Sequence, residues 1–264
     1  MTAANPFDAI ASSYDDDFTH SQIGRMQRRI VWDYLETWLA QTPKPHILEL
    51  NCGTGADAKW LTSRGATVLA TDYSDAMVSE ANAKLEATDS KAMVLDVKHL
   101  EQIIDQGPFD LVFSNFGGLN CLSPQEMEDF AELLPRLLRP NGRFMAVVMP
   151  NFCAWETTYF LAKAQVKKAF RRRQKQAVIA DLGTTQVATW YYGPKQFTQF
   201  FGAFRQIKTL PVGIFIPPSY LEPFFKSRTK MLNRLQTLDE HYRSNSQFAK
   251  LADHFLVDLQ LRSQ

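Results

Sequence analysis

This sequence of 264 residues has little cysteine and no long apolar run. Its three cysteines, Cys52, Cys121 and Cys153, are widely spaced and form no C-x-x-C pair, which predicts neither a disulfide framework nor a zinc site. No apolar run approaches the roughly 18 residues of a membrane-spanning helix, and the first residues lack the basic and apolar regions of a secretory signal. We therefore expect a soluble, cytoplasmic protein without a transmembrane segment or a bound metal.

An excess of charge is also missing. The 29 Lys and Arg residues against 28 Asp and Glu residues give a net charge of +1, which argues against broad electrostatic capture of DNA or RNA. No Gly-, Ser- or Pro-rich linker, internal repeat or low-complexity segment divides the chain. Because 45% of the residues are hydrophobic, one large core can form, and the sequence predicts a single domain of residues 1–264.

Strand-like and helix-like segments alternate along the chain. Residues 22–40 have apolar side chains at helical spacing, and Pro43 and Pro45 end this helix. The alternation that follows predicts an α/β fold with a Rossmann-like, doubly wound and mostly parallel sheet, whose ligands bind outside the carboxyl ends of the strands. The predicted strands of a seven-stranded sheet end near Leu50, Asp72, Val97, Ser114, Met149, Ile216 and Leu261. A further strand is predicted over 186–194, and the alternation of residues 252–261 predicts the last strand of the sheet.

The segment 46–58 predicts a strand, a tight loop and a helix, an arrangement that holds ligands. Gly53 to Ala58 fits the loose G-x-G-x-x-(G/A) pattern, and Asp72 follows near the distance at which a dinucleotide site places its ribose acid. A pyrophosphate needs a helix N-terminus without an anion nearby, whereas Glu49 directly precedes this loop. The acid disfavours NAD and favours a cationic ligand without phosphates, such as S-adenosylmethionine.

The run Glu49-Leu-Asn-Cys-Gly-Thr-Gly55, followed by Asp72, resembles the first two motifs of the class I S-adenosylmethionine-dependent methyltransferases. Three later motifs fit the same family, so that the resemblance covers about residues 46–150: an acid at Asp96, the run Ser114-Asn-Phe116, and Leu137-Leu-Arg-Pro-Asn-Gly142. One position departs from the family, because Asn51 stands where the first loop glycine is usual. Asparagine tolerates left-handed backbone geometry, so the loop is expected to survive.

The resemblance implies a set of cofactor-binding residues: Tyr14, Glu49, Asn51, Cys52, Gly53, Gly55, Asp72, Tyr73, Met77, Asp96, Val97, Asn115 and Phe116. Asp72 would accept both ribose hydroxyls, Met77 would pack on the adenine, and Asp96 with the Val97 N–H would meet the adenine edge. The arm 6–20 would fold over the cofactor, with Tyr14 beside the sulfonium. Purely structural alternatives remain: a solvated acidic arm, a core methionine at Met77 and a turn-forming Asp96.

Basic residues outside the motifs have two interpretations each. Arg25, Arg28 and Arg29 of the first helix form either a solvated face or a contact to the cofactor's carboxylate. The basic run 167–175 is either a solvated helix face or a dock for an anionic partner, such as an acyl-carrier protein, a phosphorylated substrate or a lipid headgroup.

The remaining chain is expected to select the acceptor. We predict a helical arm at 1–42, a cofactor-binding core at 43–150, a closing strand within 251–262, and aromatic insertions at 151–190 and 217–248 that form a lid. The resemblance implies that the closing strand is the antiparallel seventh strand of the sheet. An aromatic lid predicts a small lipophilic or aromatic acceptor. Ser114-Asn-Phe116 lacks the two prolines of DNA amino-methyltransferases, which disfavours that activity and a DNA partner.

The sequence therefore predicts methyl transfer from S-adenosylmethionine to O, N or C of a small metabolite. Positioning alone supplies much of the rate, and candidates for an assisting base, if one is used, are His20, His99, Tyr191 and Tyr192. The other histidines are predicted to be structural: His46, His241 and His254. The alternatives are an RNA methyltransferase using 167–175, a non-catalytic S-adenosylmethionine-binding protein, and an NAD-dependent oxidoreductase, which Glu49 disfavours.

Overall fold

A computed structural model describes residues 7–181 and 186–263 of the chain. The strands are β1 (His46–Leu50), β2 (Thr67–Asp72), β3 (Lys91–Val94), β4 (Phe109–Ser114), β5 (Leu138–Val148), β6 (Val178–Asp181), β7 (Gln186–Thr189), β8 (Phe204–Val212) and β9 (His254–Leu261). The α-helices are α1 (Ala11–Tyr14), α2 (Gln22–Leu39), α3 (Ala56–Ser63), α4 (Asp75–Leu85), α5 (Pro124–Leu133), α6 (Ala154–Ala162), α7 (Val166–Ala169), α8 (Pro194–Gln199), α9 (Glu222–Phe225) and α10 (Thr229–Tyr242). Short 3-10 helices span Asp8–Ile10, Val97–Gln106, Gly118–Cys121, Leu134–Leu137, Arg171–Arg173, Ser219–Leu221 and Ser246–Lys250, and a π-helical turn spans Asp15–Thr19.

The main sheet has seven strands in the order β3-β2-β1-β4-β5-β9-β8. β1 to β5 run parallel, and β9 is antiparallel to both of its neighbours, β5 and β8. The strand order reverses between β1 and β4, where parallel α/β sheets bind ligands at their carboxyl edge. The predicted seven-stranded, mostly parallel α/β fold with an antiparallel last strand is confirmed.

The sheet is buried on both faces, as the apolar runs of its central strands require. Ile47 packs into a core with α2, α3 and α4 on one face, whereas Leu48 and Leu50 pack into a second core with α5 and α8 on the other. Successive side chains of β1 therefore face opposite layers. This packing holds the end of β1, and the loop that follows it, in the middle of the molecule.

Several predicted elements end elsewhere in the structure. The third strand was predicted to reach Val97, but β3 ends at Val94, because the Asp96 side chain accepts the Lys98 N–H and starts a 3-10 helix. The sixth strand was predicted to reach Ile216, but β8 ends at Val212, because Gly213 turns the chain at φ +74°.

The strand predicted over 186–194 is only partly confirmed, because β7 ends at Thr189. This strand pairs with β6 in a two-stranded sheet apart from the main one. Residues 190–193 belong to no helix or strand, and Pro194 takes the first position of α8, where a missing N–H costs nothing.

The two segments predicted as a lid follow the carboxyl ends of β5 and β8. The first contains α6, α7 and the β6–β7 hairpin, and the second contains α9 and α10. Trp155 donates its indole N–H to the carbonyl of Phe215, which comes just before the second segment. Tyr159 lies against Tyr220, so the two segments touch. Whether they act as a lid stays a prediction. Within 7–181 and 186–263, no helix is long and apolar enough to cross a membrane.

Candidate cofactor site

The loop between β1 and α3 depends on left-handed backbone at three positions. Asn51, Gly53 and Gly55 have φ values of 53°, 53° and 77°. Asn51 supplies the conformation that glycine would otherwise provide. A Cβ atom on Gly55 would lie 2.7 Å from the Cβ of Ala81, so glycine is also needed for α3 to pack against α4. Sequence and backbone geometry therefore agree on the loop.

Asp72 lies directly beneath this loop at the end of β2. Its two carboxylate oxygens accept the N–H groups of Gly53, at 2.9 Å, and Ser74, at 3.0 Å. Ser74, and not Asp72, caps α4, because its hydroxyl accepts the Met77 N–H. Burial raises the pKa of Asp72, and the two backbone N–H groups oppose that shift. Each oxygen keeps a second acceptor position, which suits a pair of ligand hydroxyls.

Glu49 is almost completely buried, with 1% of its surface exposed. Its Oε2 atom accepts no hydrogen bond from any residue that the structure describes. Burial raises the pKa of this carboxyl well above its usual range, the charges of Asp57 and Asp72 add to the rise, and Arg28 opposes it. Buried carboxylates without a partner are costly and uncommon, and they mark places where a ligand or ion completes the site. A cationic group fits here.

Arg28 approaches the same place from helix α2. It donates to Asp57, which also accepts the Trp32 indole N–H at 2.6 Å and the Asn115 amide at 2.9 Å. The Arg28 Nε atom is buried and, within the described part of the chain, has no hydrogen-bond partner. One N–H of this guanidinium therefore remains available for an anionic group.

The interpretation of Arg28 as part of a solvated face is wrong. Only 6% of its surface is exposed. The burial of Arg28 could have been predicted from its spacing to Val31 and Leu35. Positions i, i+3 and i+7 share one face of a helix, and Val31 and Leu35 are core residues.

The N-terminal arm is folded over the loop. A Cβ atom on Gly53 would lie 3.7 Å from the Tyr14 ring, and burial raises the pKa of Tyr14 to about 12. Asp15 accepts the Thr54 hydroxyl at 2.6 Å and the Lys84 ammonium. The solvated interpretation therefore fails for Asp15, although its neighbours Asp16 and Asp17 are exposed.

The predicted adenine-side residues lie at the ends of β2 and β3. Met77 is buried, Cys52 is buried at the loop, and Tyr73 is 55% exposed. Asp96 forms a turn, as its purely structural alternative predicts, because it caps the 3-10 helix that begins at Val97. The structure brings these side chains to one edge of the sheet, and their roles toward a cofactor stay predictions.

The loop after β4 presents Phe116 beside the arm. Its backbone has φ 48°, and the Asn115 side chain accepts the Phe116 N–H at 3.0 Å. The Phe116 ring meets Phe18 edge-on, with 5.1 Å between ring centroids, and meets His254 edge-on at 5.5 Å. Arg28 lies 5.0 Å from the same ring. Phe116 thus connects the cofactor side to a histidine that was predicted to be structural.

His254 is the first residue of β9 and lies beside the carboxyl end of β8, paired with Val212. Its Nδ1 atom is 3.2 Å from Asp253 Oδ2. Asp253 also accepts from Arg172 at 2.8 Å and from Gln27 at 3.2 Å. Although burial opposes it, His254 and Arg172 hold the pKa of Asp253 well below its usual range. The His254 Nδ1 atom makes no hydrogen bond to any described residue, so this contact is a matter of distance and charge alone. The adjacent Asp253 was the sequence signal for this pair of side chains.

The four predicted base candidates are scattered. The side chains of His20 and His99 are 60% and 58% exposed and lie near Asp16 and Glu101. Tyr192 is fully buried, and its hydroxyl donates to the Leu122 carbonyl inside the core, which leaves it unsuited to proton transfer. Tyr191 carries Arg172 5.3 Å above its ring, next to the Asp253–His254 pair.

The cysteines are free thiols and are dispersed in the structure. No group of three His, Cys, Asp or Glu residues in the described ranges could hold a metal ion. Burial raises the pKa of Cys121 to about 11 and that of Cys153 to about 12, so both remain thiols at neutral pH.

Comparisons with known proteins agree with this geometry. Residues 47–142 match the family described as "Methyltransferase domain". A demethylmenaquinone methyltransferase of Clavibacter sepedonicus is 32% identical over 140 residues, which cover 53% of this chain and 54% of that protein. A trans-aconitate 2-methyltransferase of Deinococcus radiodurans is 33% identical over 121 residues, which cover 44% of this chain and 42% of that protein. The chain therefore aligns with only about half the length of these curated relatives.

A solved structure shares the fold over the whole chain. An S-adenosylmethionine-dependent methyltransferase from Clostridium acetobutylicum superimposes with a TM-score of 0.61 at 13% identity, over 98% of this chain and all of that chain. At this identity the likeness concerns the fold alone.

The buried carboxylate of Glu49 generates a stability prediction. A folded-state pKa raised by burial means that stability is present below the unfolded pKa, near 4.3, and is lost as pH rises toward the folded pKa. We expect Glu49→Gln to unfold at a higher temperature than the wild type at pH 7.5 without ligand. The gain should be about 1 kcal/mol, or about 2–4 °C.

Thermal unfolding monitored by circular dichroism checks this. The gain should shrink as the pH falls toward 5, and the exposed control Glu128→Gln should change little. A lower melting temperature for Glu49→Gln at pH 7.5 would contradict the account of this carboxylate.

Proposed function

We propose a function from the premise that this chain contains a class I S-adenosylmethionine-dependent methyltransferase domain, the family to which its motifs, fold and relatives assign it. The family and the cofactor that the sequence predicted are thereby confirmed. The proposed reaction transfers a methyl group from S-adenosylmethionine to an O, N or C atom of a small lipophilic or aromatic metabolite. The acceptor class and the residue roles below are part of this proposal.

One observation carries the proposal: two buried polar atoms of opposite charge, Glu49 Oε2 and Arg28 Nε, have no partner among the described residues. The amino-acid end of S-adenosylmethionine has an ammonium and a carboxylate, which match these two atoms in charge. Asp72 offers two acceptor oxygens for the ribose hydroxyls. Glu49 and Asp72 both flank the loop between β1 and α3, and their charges disfavour a pyrophosphate there.

The bound cofactor would supply a methyl group on a sulfonium. The residues of the chain would position the cofactor and the acceptor and would exclude water. Tyr14 lies over Gly53 and shields the loop from water. Phe116 and Phe18 form an apolar wall on the acceptor side. Holding an acceptor in line with the methyl group in a dry site lowers the activation free energy by several kcal/mol through proximity alone.

The acceptor side also contains a candidate base, His254. The Asp253 carboxylate lies 3.2 Å from its Nδ1 atom without a hydrogen bond to it, and this negative charge would favour the tautomer with the proton on Nδ1, which leaves Nε2 to accept. In the proposed step, the acceptor oxygen forms a bond to the methyl carbon, the carbon–sulfur bond breaks with its electron pair on sulfur, and the hydroxyl proton passes to His254 Nε2. Arg172 and Gln27 keep the Asp253 carboxylate in place.

A small aromatic or lipophilic acceptor is supported by the surroundings of Phe116. The half-buried side chains Trp155 and Tyr159 pack in the same core cluster as Phe116. We propose that the segments 151–190 and 217–248, which carry them, cover the acceptor. The name of the Clavibacter relative, a demethylmenaquinone methyltransferase, is in keeping with such an acceptor.

Two ligands that differ in one part test the cofactor roles separately. 5′-Methylthioadenosine has the adenosine and sulfur of S-adenosylhomocysteine but lacks its amino-acid end. We expect Glu49→Gln and Arg28→Lys each to weaken S-adenosylhomocysteine binding about tenfold or more, as the loss of a hydrogen bond to a charged group does. Binding of 5′-methylthioadenosine should stay unchanged in both variants. Asp72→Ala should abolish the binding of both ligands, and isothermal titration calorimetry measures each case.

The matched control is Asp16→Ala, because this side chain is exposed on the arm. Circular dichroism verifies that each variant is folded. Normal affinity in a folded Asp72→Ala variant, or equal losses of both ligands in Arg28→Lys, would refute the assignment.

The acceptor side is tested by S-adenosylhomocysteine release with a panel of phenols, hydroquinones, amines and carboxylic acids. We expect turnover with a hydroxyl-bearing aromatic acceptor. His254→Asn should lower kcat at least tenfold without changing the KM for S-adenosylmethionine. The exposed His241→Asn is the control. No turnover with any acceptor would favour the non-catalytic binding protein, and an unchanged kcat would exclude His254 as the base.

A further inference from the structure

Basic residues are concentrated on one surface of the molecule. We define the basic aromatic surface as residues 159–175 and 219–230. It contains ten of the chain's 29 basic residues but only one of its 28 acidic residues, Glu222. The Glu222 carboxylate is engaged internally, because its two oxygens accept the backbone N–H groups of Gln22 and Ile23. The near-zero net charge of the whole chain therefore conceals a strongly basic surface.

Two of these basic residues belong to the interior. Arg171 and Arg172 both pair with the buried Glu156, and Arg172 also holds Asp253. The others are exposed to solvent: Lys163, Lys167, Lys168, Arg173, Lys175, Lys226, Arg228 and Lys230. The solvated-face interpretation of the run 167–175 thus holds for some of its residues and fails for Arg172.

Large apolar side chains are exposed between these cations. Val166 is 57% exposed and Phe224 54%. Leu161, Phe170 and Tyr220 are exposed as well. Contiguous exposed apolar surface beside polar residues marks interaction sites in folded proteins.

Side-chain contacts join the two segments into one surface. Phe160 stacks on Tyr220 with 6.3 Å between ring centroids, and Tyr159 lies 6.1 Å from the same ring. Phe224 packs edge-on against Phe225, which in turn meets Trp155 of helix α6. The exposed apolar groups of both segments therefore share one side of the molecule.

We propose that the basic aromatic surface docks on the headgroup region of an anionic lipid bilayer. Apolar side chains such as Leu161, Val166 and Phe224 suit the boundary between headgroups and acyl chains, where amphipathic surfaces insert about 5–10 Å. Lysines around them meet anionic headgroups, each adding about fivefold to the partition coefficient. Docking here would bring the segments beside Phe116 to the bilayer, from which a lipophilic acceptor is drawn. The delivery of a lipophilic acceptor from the bilayer rests on the proposed function, whereas the docking itself does not.

Nucleic acid is a poorer match for the same surface. Single-stranded bases bind by stacking on free aromatic faces, but here the faces are covered by cations of the chain itself. Arg228 lies 4.0 Å from the Phe224 ring centroid, and Lys168 and Arg171 lie 5.9 Å and 5.7 Å from that of Phe160. Because the ring faces are covered, a partner can contact only the ring edges and the exposed aliphatic side chains. Such contacts favour lipid over nucleic acid as the partner.

Vesicle sedimentation of the full-length protein tests the docking. The probes are vesicles of phosphatidylcholine alone and of phosphatidylcholine with 30% phosphatidylglycerol. We expect binding to the anionic vesicles only, weakened by 0.5 M NaCl. The double variant Lys167→Glu/Lys168→Glu should lower the partition coefficient about tenfold or more. Leu161→Ser/Phe224→Ser should lower it as well, while binding S-adenosylhomocysteine as the wild type does.

The matched control is Lys91→Glu/Lys208→Glu, which changes the charge equally at exposed positions on the two outer strands of the sheet. Equal loss in this control would show that net charge alone drives binding, and would overturn the assignment of the surface. Full binding by Leu161→Ser/Phe224→Ser would exclude insertion. Absence of vesicle binding by the wild type, with binding to a purified acyl-carrier protein instead, would assign the surface to a protein partner. Because each readout is independent of methyl transfer, failure here leaves the proposed function standing.

Discussion

The structure of the site depends on a carboxylate that has no partner among the residues the structure describes. Glu49 is held near the end of β1, between β2 and β4, where no described side chain donates a hydrogen bond to its Oε2 atom. The nearby cation, Arg28, is bound to Asp57 and cannot neutralise Glu49 completely. A protein keeps such an uncompensated charge where a ligand needs it. The ligand that fits must bring a cation to Glu49 and an anion to Arg28.

The surrounding elements explain how this charge is kept dry. The arm places Tyr14 over the loop, and Asp15 fastens the arm through Thr54 and Lys84. On the other side, Phe116 separates Arg28 from His254. The low dielectric of this interior strengthens the attraction between fixed charges and a charged ligand. In the proposed function, this one arrangement would serve cofactor binding, exclusion of water and placement of an acceptor.

The fold and the centre of the site could be predicted from the sequence because their signals are local. Apolar runs that end in Glu49 and Asp72 predict strands with acids at one edge, and parallel strands bring those acids together. The burial of Arg28 was missed because it arises from contacts with residues distant in sequence, such as Asp57 and Phe116. The end of β3 was missed because a side-chain hydrogen bond of Asp96 outweighed strand propensity. The outer hairpin of β6 and β7 was missed because alternation indicates a strand but not its partner.

The central claim is that the loop after β1 holds an adenosyl ligand with an amino-acid end and no phosphate. Calorimetric titration of the wild-type protein with S-adenosylmethionine and with NAD, under the same conditions, tests it most directly. We expect saturable one-to-one binding of S-adenosylmethionine at micromolar concentration and no binding of NAD. Binding of NAD in preference to S-adenosylmethionine, or of neither ligand, would contradict the role given to Glu49 and the site built around it.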